Sequence, residues 1–151
     1  MNADIYSHEG EGIQCVYDNK NWVVCIKNWK PNNDIENIER LEVHHATDEQ
    51  FIMISGKAVL LAATRENDGF QIDVIPMEPG KVYNIPQELW FNTVAMKDAK
   101  MAYVQDAGTT AENSEYCNMT AEELAYVKKK TAEYFNCENI RYRERGIDYD
   151  D

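Results

Sequence analysis

Between Arg40 and Asp106 the chain is cut into short apolar runs by turn-forming residues at nearly regular intervals, and this spacing limits the possible folds more than any other feature. Gly56-Lys57, Glu66-Asn67-Asp68-Gly69 and Glu78-Pro79-Gly80 all separate such runs. Asn, Asp and Gly accept the positive φ angles that tight hairpins demand. The expected strands are 49–55, 58–64, 70–77, 82–85, 89–95 and 101–105. The run 49–55 is apolar enough to be buried on both faces. Short strands bounded in this way fold as a sandwich or barrel. Upstream, 13–17 and 22–26 flank Asp18-Asn19-Lys20-Asn21 and read as an N-terminal hairpin. Lys30-Pro31-Asn32-Asn33 breaks the pattern, and 34–38 fits a short helical turn or a loop equally well.

The character changes after Gly108. Residues 109–119 read as a polar linker. Thr120-Ala121-Glu122-Glu123 matches a capping box, in which Thr120 accepts from the Glu123 N–H and Glu123 reaches back. Leu124, Val127, Thr131 and Phe135 then share one helical face, so a helix is expected over 120–136. Its apolar stripe needs the β domain or a partner to cover it. Lys128 to Lys130 read as a solvated face, and 137–151 as a charged tail. The division is thus a β domain over 1–108 with a motif core at 40–106, a linker, a helix and a tail.

The 151 residues suffice for one domain with a real core. A formal net charge of −12 argues against a nucleic-acid groove or an anionic membrane surface, both of which need basic stripes. Four cysteines without CxxC spacing exclude a zinc knuckle. Residues 1–12 lack an apolar leader core, and no run reaches membrane-span length. The expectation is a cytoplasmic protein with free thiols.

Two phrases carry a resemblance. Glu49 is followed by six residues and Gly56, and Gly80 by five residues and Pro86. His44-His45-Ala46-Thr47-Asp48-Glu49-Gln50-Phe51 looks like an HxxTDEVF motif, and Ile85-Pro86-Gln87-Glu88-Leu89-Trp90-Phe91-Asn92-Thr93 like a PxGxWHNT motif. Together they resemble the cupin superfamily over the middle third of the chain. The resemblance implies an all-β fold: a single cupin jelly-roll barrel with the N-terminal hairpin and one C-terminal helix added. It also implies a homodimer, which edge-strand pairing would favour independently.

In that family two histidines and a glutamate of the first motif, with a histidine of the second, usually hold a divalent metal. Residues two apart on a strand face the same way, so an HxH pair sends both imidazoles inward. Here the match is incomplete. If His44 is the second histidine, the first position holds Glu42; if His45 is, it holds Val43. The second-motif glycine is Glu88, its histidine is Phe91, and its asparagine is Ala95. The inward set in the better register is Glu42, His44, Glu49 and Phe91.

Two readings follow. In one, no metal binds, and His44 and Glu49 form a polar pair in an apolar interior, able to bind a small polar ligand or to do acid–base chemistry. In the other, Glu42, His44 and Glu49 hold one divalent metal ion. Glu42, Tyr83, Trp90 and Phe91 are the candidate ligand-binding residues, with Tyr83 and Trp90 as stacking platforms at the mouth. His45 is expected to point outward, His8 to have no role, and Met53, Met77, Met96 and Met101 to fill packing gaps. Three functions stay open: a metal-free cupin binding a sugar or carboxylate, an isomerase, epimerase or lyase using His44 and Glu49, and a packed structural barrel acting through a protein interface. Whether the chain is an enzyme is left open.

Overall fold

A computed structural model describes residues 2–144, with side chains described as far as Asn136. The strands are β1 (Ile13–Asp18), β2 (Trp22–Asn28), β3 (Arg40–His44), β4 (Glu49–Ser55), β5 (Ala58–Glu66), β6 (Gly69–Pro76), β7 (Val82–Ile85), β8 (Trp90–Ala95), β9 (Lys100–Asp106) and β10 (Ser114–Asn118). One helix, α1 (Ala121–Glu144), follows. The strands form two five-stranded sheets, β1-β2-β9-β4-β7 and β10-β3-β8-β5-β6. Their ladders are antiparallel. The sheets face each other as a jelly roll, and no ladder among the described residues joins one to the other.

Period-two alternation decides what each sheet buries. Phe51, Met53, Met101 and Ile85 from the first sheet meet Leu60, Phe91 and Ala95 from the second, with Met77 filling the gap between them. The opposite face of the second sheet buries Leu41, Val59, Leu61 and Val94 under Val127 of α1. Among the described residues no helix covers the outer face of the first sheet. For that reason β4 is buried on one face only, with Ile54 left 45% exposed, which corrects the two-faced burial expected of 49–55. Met96 is likewise exposed instead of filling a gap.

The turn residues sit where positive φ is needed. Asn67 (φ 48°) closes the β5–β6 hairpin. Gly56 (φ 78°) lies so tightly against the Asp98 carbonyl that a Cβ has no room. That close approach explains the glycine seven positions after Glu49. Residues 31–33 form a 3-10 turn, and 34–38 a single hydrogen-bonded turn in which the Asn37 and Ile38 N–H groups both donate to the Asp34 carbonyl at 3.0 Å.

Two features depart from the sequence expectation. The segment 109–119 is not all linker: a 3-10 turn over Ala111–Asn113, capped by Thr110, leads into β10, which pairs with β3. Ser114 and Tyr116 oppose His44 and Glu42 there. The letters are polar, but they alternate as a strand requires. The helix also continues past Asn136 to Glu144, because no Gly or Pro intervenes before Gly146. The charged tail from residue 145 lies outside the described residues. The capping box forms as expected: the Glu123 N–H donates to Thr120 Oγ1 (3.1 Å), and the Thr120 N–H to Glu123 Oε1 (2.8 Å). Glu123 Oε2 accepts from the Phe70 N–H as well (2.6 Å), tying the helix start to β6. Among the described residues no helix is long and apolar enough to cross a membrane.

Candidate functional site

A cavity of about 540 Å³ opens between the sheets, at the end away from the packed methionines. β3 sends Glu42 and His44 into it, β4 sends Glu49, β9 sends Tyr103 and Gln105, and β2 sends Lys27. Three of these strands carry buried apolar residues in phase with the site: Phe51 and Met53 with Glu49, Met101 with Tyr103 and Gln105, Val23 and Cys25 with Lys27.

The inward set expected from the sequence is brought together. His44 is 9% exposed, and its Nε2 lies 3.8 Å from Glu49 Oε1 and 3.9 Å from Glu42 Oε2. Its Nδ1 is held by Ser114 Oγ at 2.7 Å. With Nδ1–H donating to that oxygen, the Nε2 lone pair is left for the cavity. Phe91, 1% exposed, packs beneath the imidazole with ring centroids 5.4 Å apart. It is a floor to the site and not a wall of the cavity. Tyr83 and Trp90 lie elsewhere. The Tyr83 hydroxyl accepts from the Glu78 N–H (2.8 Å) against the packed core. Trp90 points to the helix side of its sheet, edge-on to Phe70 and beside Arg65. The mouth-platform expectation fails for Trp90 because position 90 is out of phase with position 91 on the same strand.

Burial shapes the protonation of the group. Desolvation pushes Glu49 up from 4.5 to about 8, and the Glu42 charge adds to the rise while Lys27 opposes it. Desolvation lowers His44 below its usual value, against the pull of Glu42. Near neutral pH both are thus biased to their uncharged forms, an acid and a base side by side. Tyr103 is held well above its ordinary value by burial and by its bond to the Cys25 thiol, itself pushed up to about 11.

Lys27 was missed by sequence reasoning. It is 8% exposed, and its Nζ crosses the sandwich to donate to Thr93 Oγ1 (2.8 Å). Burial lowers it from 10.5 to about 8. The residues present do not fit the metal that cupin motifs usually hold. Among the described residues no three His, Cys, Asp or Glu side chains form a metal-holding group. Phe91 offers no lone pair where a histidine ligand would stand, and an amine shares the chamber with the carboxylates. Two buried acceptors, Gln105 Oε1 and Asn33 Oδ1, have no hydrogen-bond partner. Both residues line the cavity, but the two oxygens are themselves fully buried and face away from its open space.

No protein-family model matches the sequence, and no curated protein matches it. Among solved structures, a Streptomyces PAC13 variant with uridine is similar at TM-score 0.53 and 10% identity, covering 81% of this chain and 96% of that one. Another structure, of Pac13 described as a unique nucleoside dehydratase, aligns at TM-score 0.52 and 9% identity, over 76% and 86% of the two chains. A cupin-2 domain protein from Shewanella frigidimarina aligns at TM-score 0.44 and 16% identity, over 65% and 82%. The chain shares the overall fold of the Pac13 β-barrel. At these identities the likeness is one of fold, and the site must be argued from its own residues.

Proposed function

We propose that this protein binds a small, hydroxyl-rich molecule in its cavity without a metal, and carries out acid–base chemistry on it as a lyase or isomerase. The observation that carries this is the placing of His44: Nδ1 fixed on Ser114, Nε2 open to the cavity, and Glu49 3.8 Å away. A neutral imidazole can take a proton from carbon beside a carbonyl, while protonated Glu49 can give one to a departing or migrating oxygen. The nucleoside dehydratase of similar fold is a precedent for dehydration of a nucleoside. A cavity of about 540 Å³ suits a nucleoside-sized or sugar-sized guest and counts against a fully packed structural barrel.

The test is a ligand screen by NMR with sugars, sugar acids and nucleosides, followed by turnover assays on the binders. His44→Gln is expected to keep binding and to lose at least about a hundredfold in kcat. Full activity in that variant removes the catalytic role, and an absence of any binder removes the reading. Metal analysis of the purified protein is expected to find well under one divalent ion per chain; one ion per chain refutes the metal-free version.

The homodimer belongs to this proposal too. β1 is the outer strand of its sheet, and Ile13, Tyr17 and Trp22 stay 40%, 37% and 48% exposed beside its free edge. Light scattering of a monomer at micromolar concentration would remove it. A cytoplasmic site fits the free thiols of Cys15, Cys25 and Cys117.

A further inference from the structure

The geometry assigns Lys27 a covalent role: its amine forms an imine with an aldehyde or ketone group of a polyhydroxy guest. This rests on the proposed binding of a small hydroxylated molecule in the same cavity. It adds the guest's reactive group and the atom that meets it.

Three placements carry the inference. First, Lys27 lines the chamber, and among the described residues its Nζ donates one hydrogen bond, to a neutral hydroxyl, Thr93 Oγ1 at 2.8 Å. No carboxylate of the described residues lies within ion-pair distance of it, unlike exposed Lys81 and Lys130, which each pair with a glutamate. An amine tied to a carboxylate is held as ammonium; one tied to a hydroxyl is free to lose its proton and attack. Second, the stem is fixed. It rises from the middle of the sandwich over the Phe51 ring, with Nζ 5.8 Å from the centroid. Burial disfavours the charged form, the Lys30 charge adds to the effect, and Lys27 falls to about 8. Third, the groups that imine formation needs line the same chamber: His44 to take a proton and Glu49 to give one.

The step balances. The Nζ lone pair attacks the carbonyl carbon, a C–N bond forms, and the carbonyl electron pair moves to oxygen. His44 takes a proton from nitrogen and passes it to the oxygen, which gives a carbinolamine and returns the imidazole to its neutral form. Glu49 then protonates that hydroxyl, which leaves as water as the C=N bond forms. An iminium remains, opposite the Glu49 carboxylate. The iminium is an electron sink that acidifies the adjacent C–H, the proton that His44 is placed to remove.

The experiment treats the intact protein with D-erythrose and sodium cyanoborohydride at pH 7, then maps the reduced adduct by peptide mass spectrometry. At that pH about one tenth of a lysine at 8 is neutral, against about one part in three thousand at 10.5. Lys27 is therefore expected to be labelled at least about tenfold faster than any surface lysine, with a rate half-maximal near pH 8 and level above about pH 9. Lys27→Arg keeps the cation and is expected to lose the fast phase. Labelling spread over surface lysines, with Lys27 no faster, overturns the proposal. Ribitol, which has hydroxyls but no carbonyl, separates the two claims through NMR shifts at His44. If ribitol binds and Lys27 is not labelled, the imine role fails and the binding proposal stands. If neither occurs, both fail.

Discussion

The two ends of the space between the sheets are built from the same strands and have opposite chemistry. Along β4 the inward positions run Glu49, Phe51, Met53; along β9 they run Gln105, Tyr103, Met101. One end is closed by Met53, Met77, Met101 and Leu60, and the other opens on Glu49, His44 and Lys27. Phe51 and Phe91 mark the boundary, edge-on at 5.9 Å. The difference teaches that this jelly roll is stabilised at one end and made reactive at the other. Ionisable groups at the open end are tolerated because the packed end carries the stability, and their protonation shifts because they stand on an apolar floor.

The largest effect should come from breaking that floor. Phe91 is 1% exposed and touches both the core and the His44 ring. Phe91→Ala should cost about 3–5 kcal/mol in denaturant unfolding. A loss under about 1 kcal/mol would mean that the two ends are not mechanically joined there.

Glu49 gives the next effect, of opposite sign. Its folded pKa, about 8, lies above the ordinary 4.5, so the folded chain keeps a proton that the unfolded chain releases. Its contribution is complete below about pH 4.5 and is lost as pH rises to about 8. Lys27 turns neutral over the same upper range and stops compensating the carboxylate. Glu49→Gln should therefore leave stability near pH 5 almost unchanged and raise it by about 2–4 kcal/mol above pH 9. Equal stability of the two proteins at all pH values would put Glu49 in contact with solvent.

A smaller loss is expected at Thr93, which is 0% exposed and is the hydroxyl that holds Lys27. Thr93→Val keeps the shape and removes the acceptor, at about 1–3 kcal/mol near neutral pH. The Lys27 amine should also titrate lower, because the lost bond favoured the ammonium. Labelling kinetics across pH would read that shift.

The sequence made one end of the sandwich more legible than the other. β4 and β7 have the bounds expected of 49–55 and 82–85, because apolar runs between turn residues are read directly. His44, Glu49 and Phe91 were found through motif spacing, and alternation put them on one side. Lys27 escapes because the expected strand ends at Ile26, two residues short of the true end at Asn28, although 23, 25 and 27 share a phase. A lysine at an inward position reads as the end of a strand unless the partner strand is known. Here Lys27 pairs with Met101 on β9. Ser114 escaped for a related reason: β10 is an edge strand of polar letters, and only pairing with β3 makes it a strand. Composition displays what a core buries, but polar residues buried by strand pairing show only as phase.

The smallest effect tests how the rim of the open end is fastened. Glu88 stands at the position where the motif has glycine, and its φ of 74° is what a glycine would adopt with ease. Its N–H donates to the His44 carbonyl (3.0 Å), and its carboxylate meets His45 Nδ1 at 2.9 Å, while Glu115 of β10 meets Nε2 at 2.6 Å. His45 thus points outward as expected, but it clamps the β7–β8 loop to β10 over the cavity. The two glutamates raise the His45 pKa above its usual 6.5. A raised histidine stabilises the fold fully below its unfolded pKa and loses that contribution as pH rises through the folded value. Glu88→Gln should lower Tm most at about pH 5–6 and not at all near pH 9. Glu88→Gly should show the same pH-dependent loss with a constant gain of up to about 1 kcal/mol from relief of the left-handed backbone. Parallel Tm curves for the native and Glu88→Gln proteins across this range would mean that the charge on His45 does not fasten the rim. A loss of the constant offset in Glu88→Gly would mean that the backbone there carries no strain.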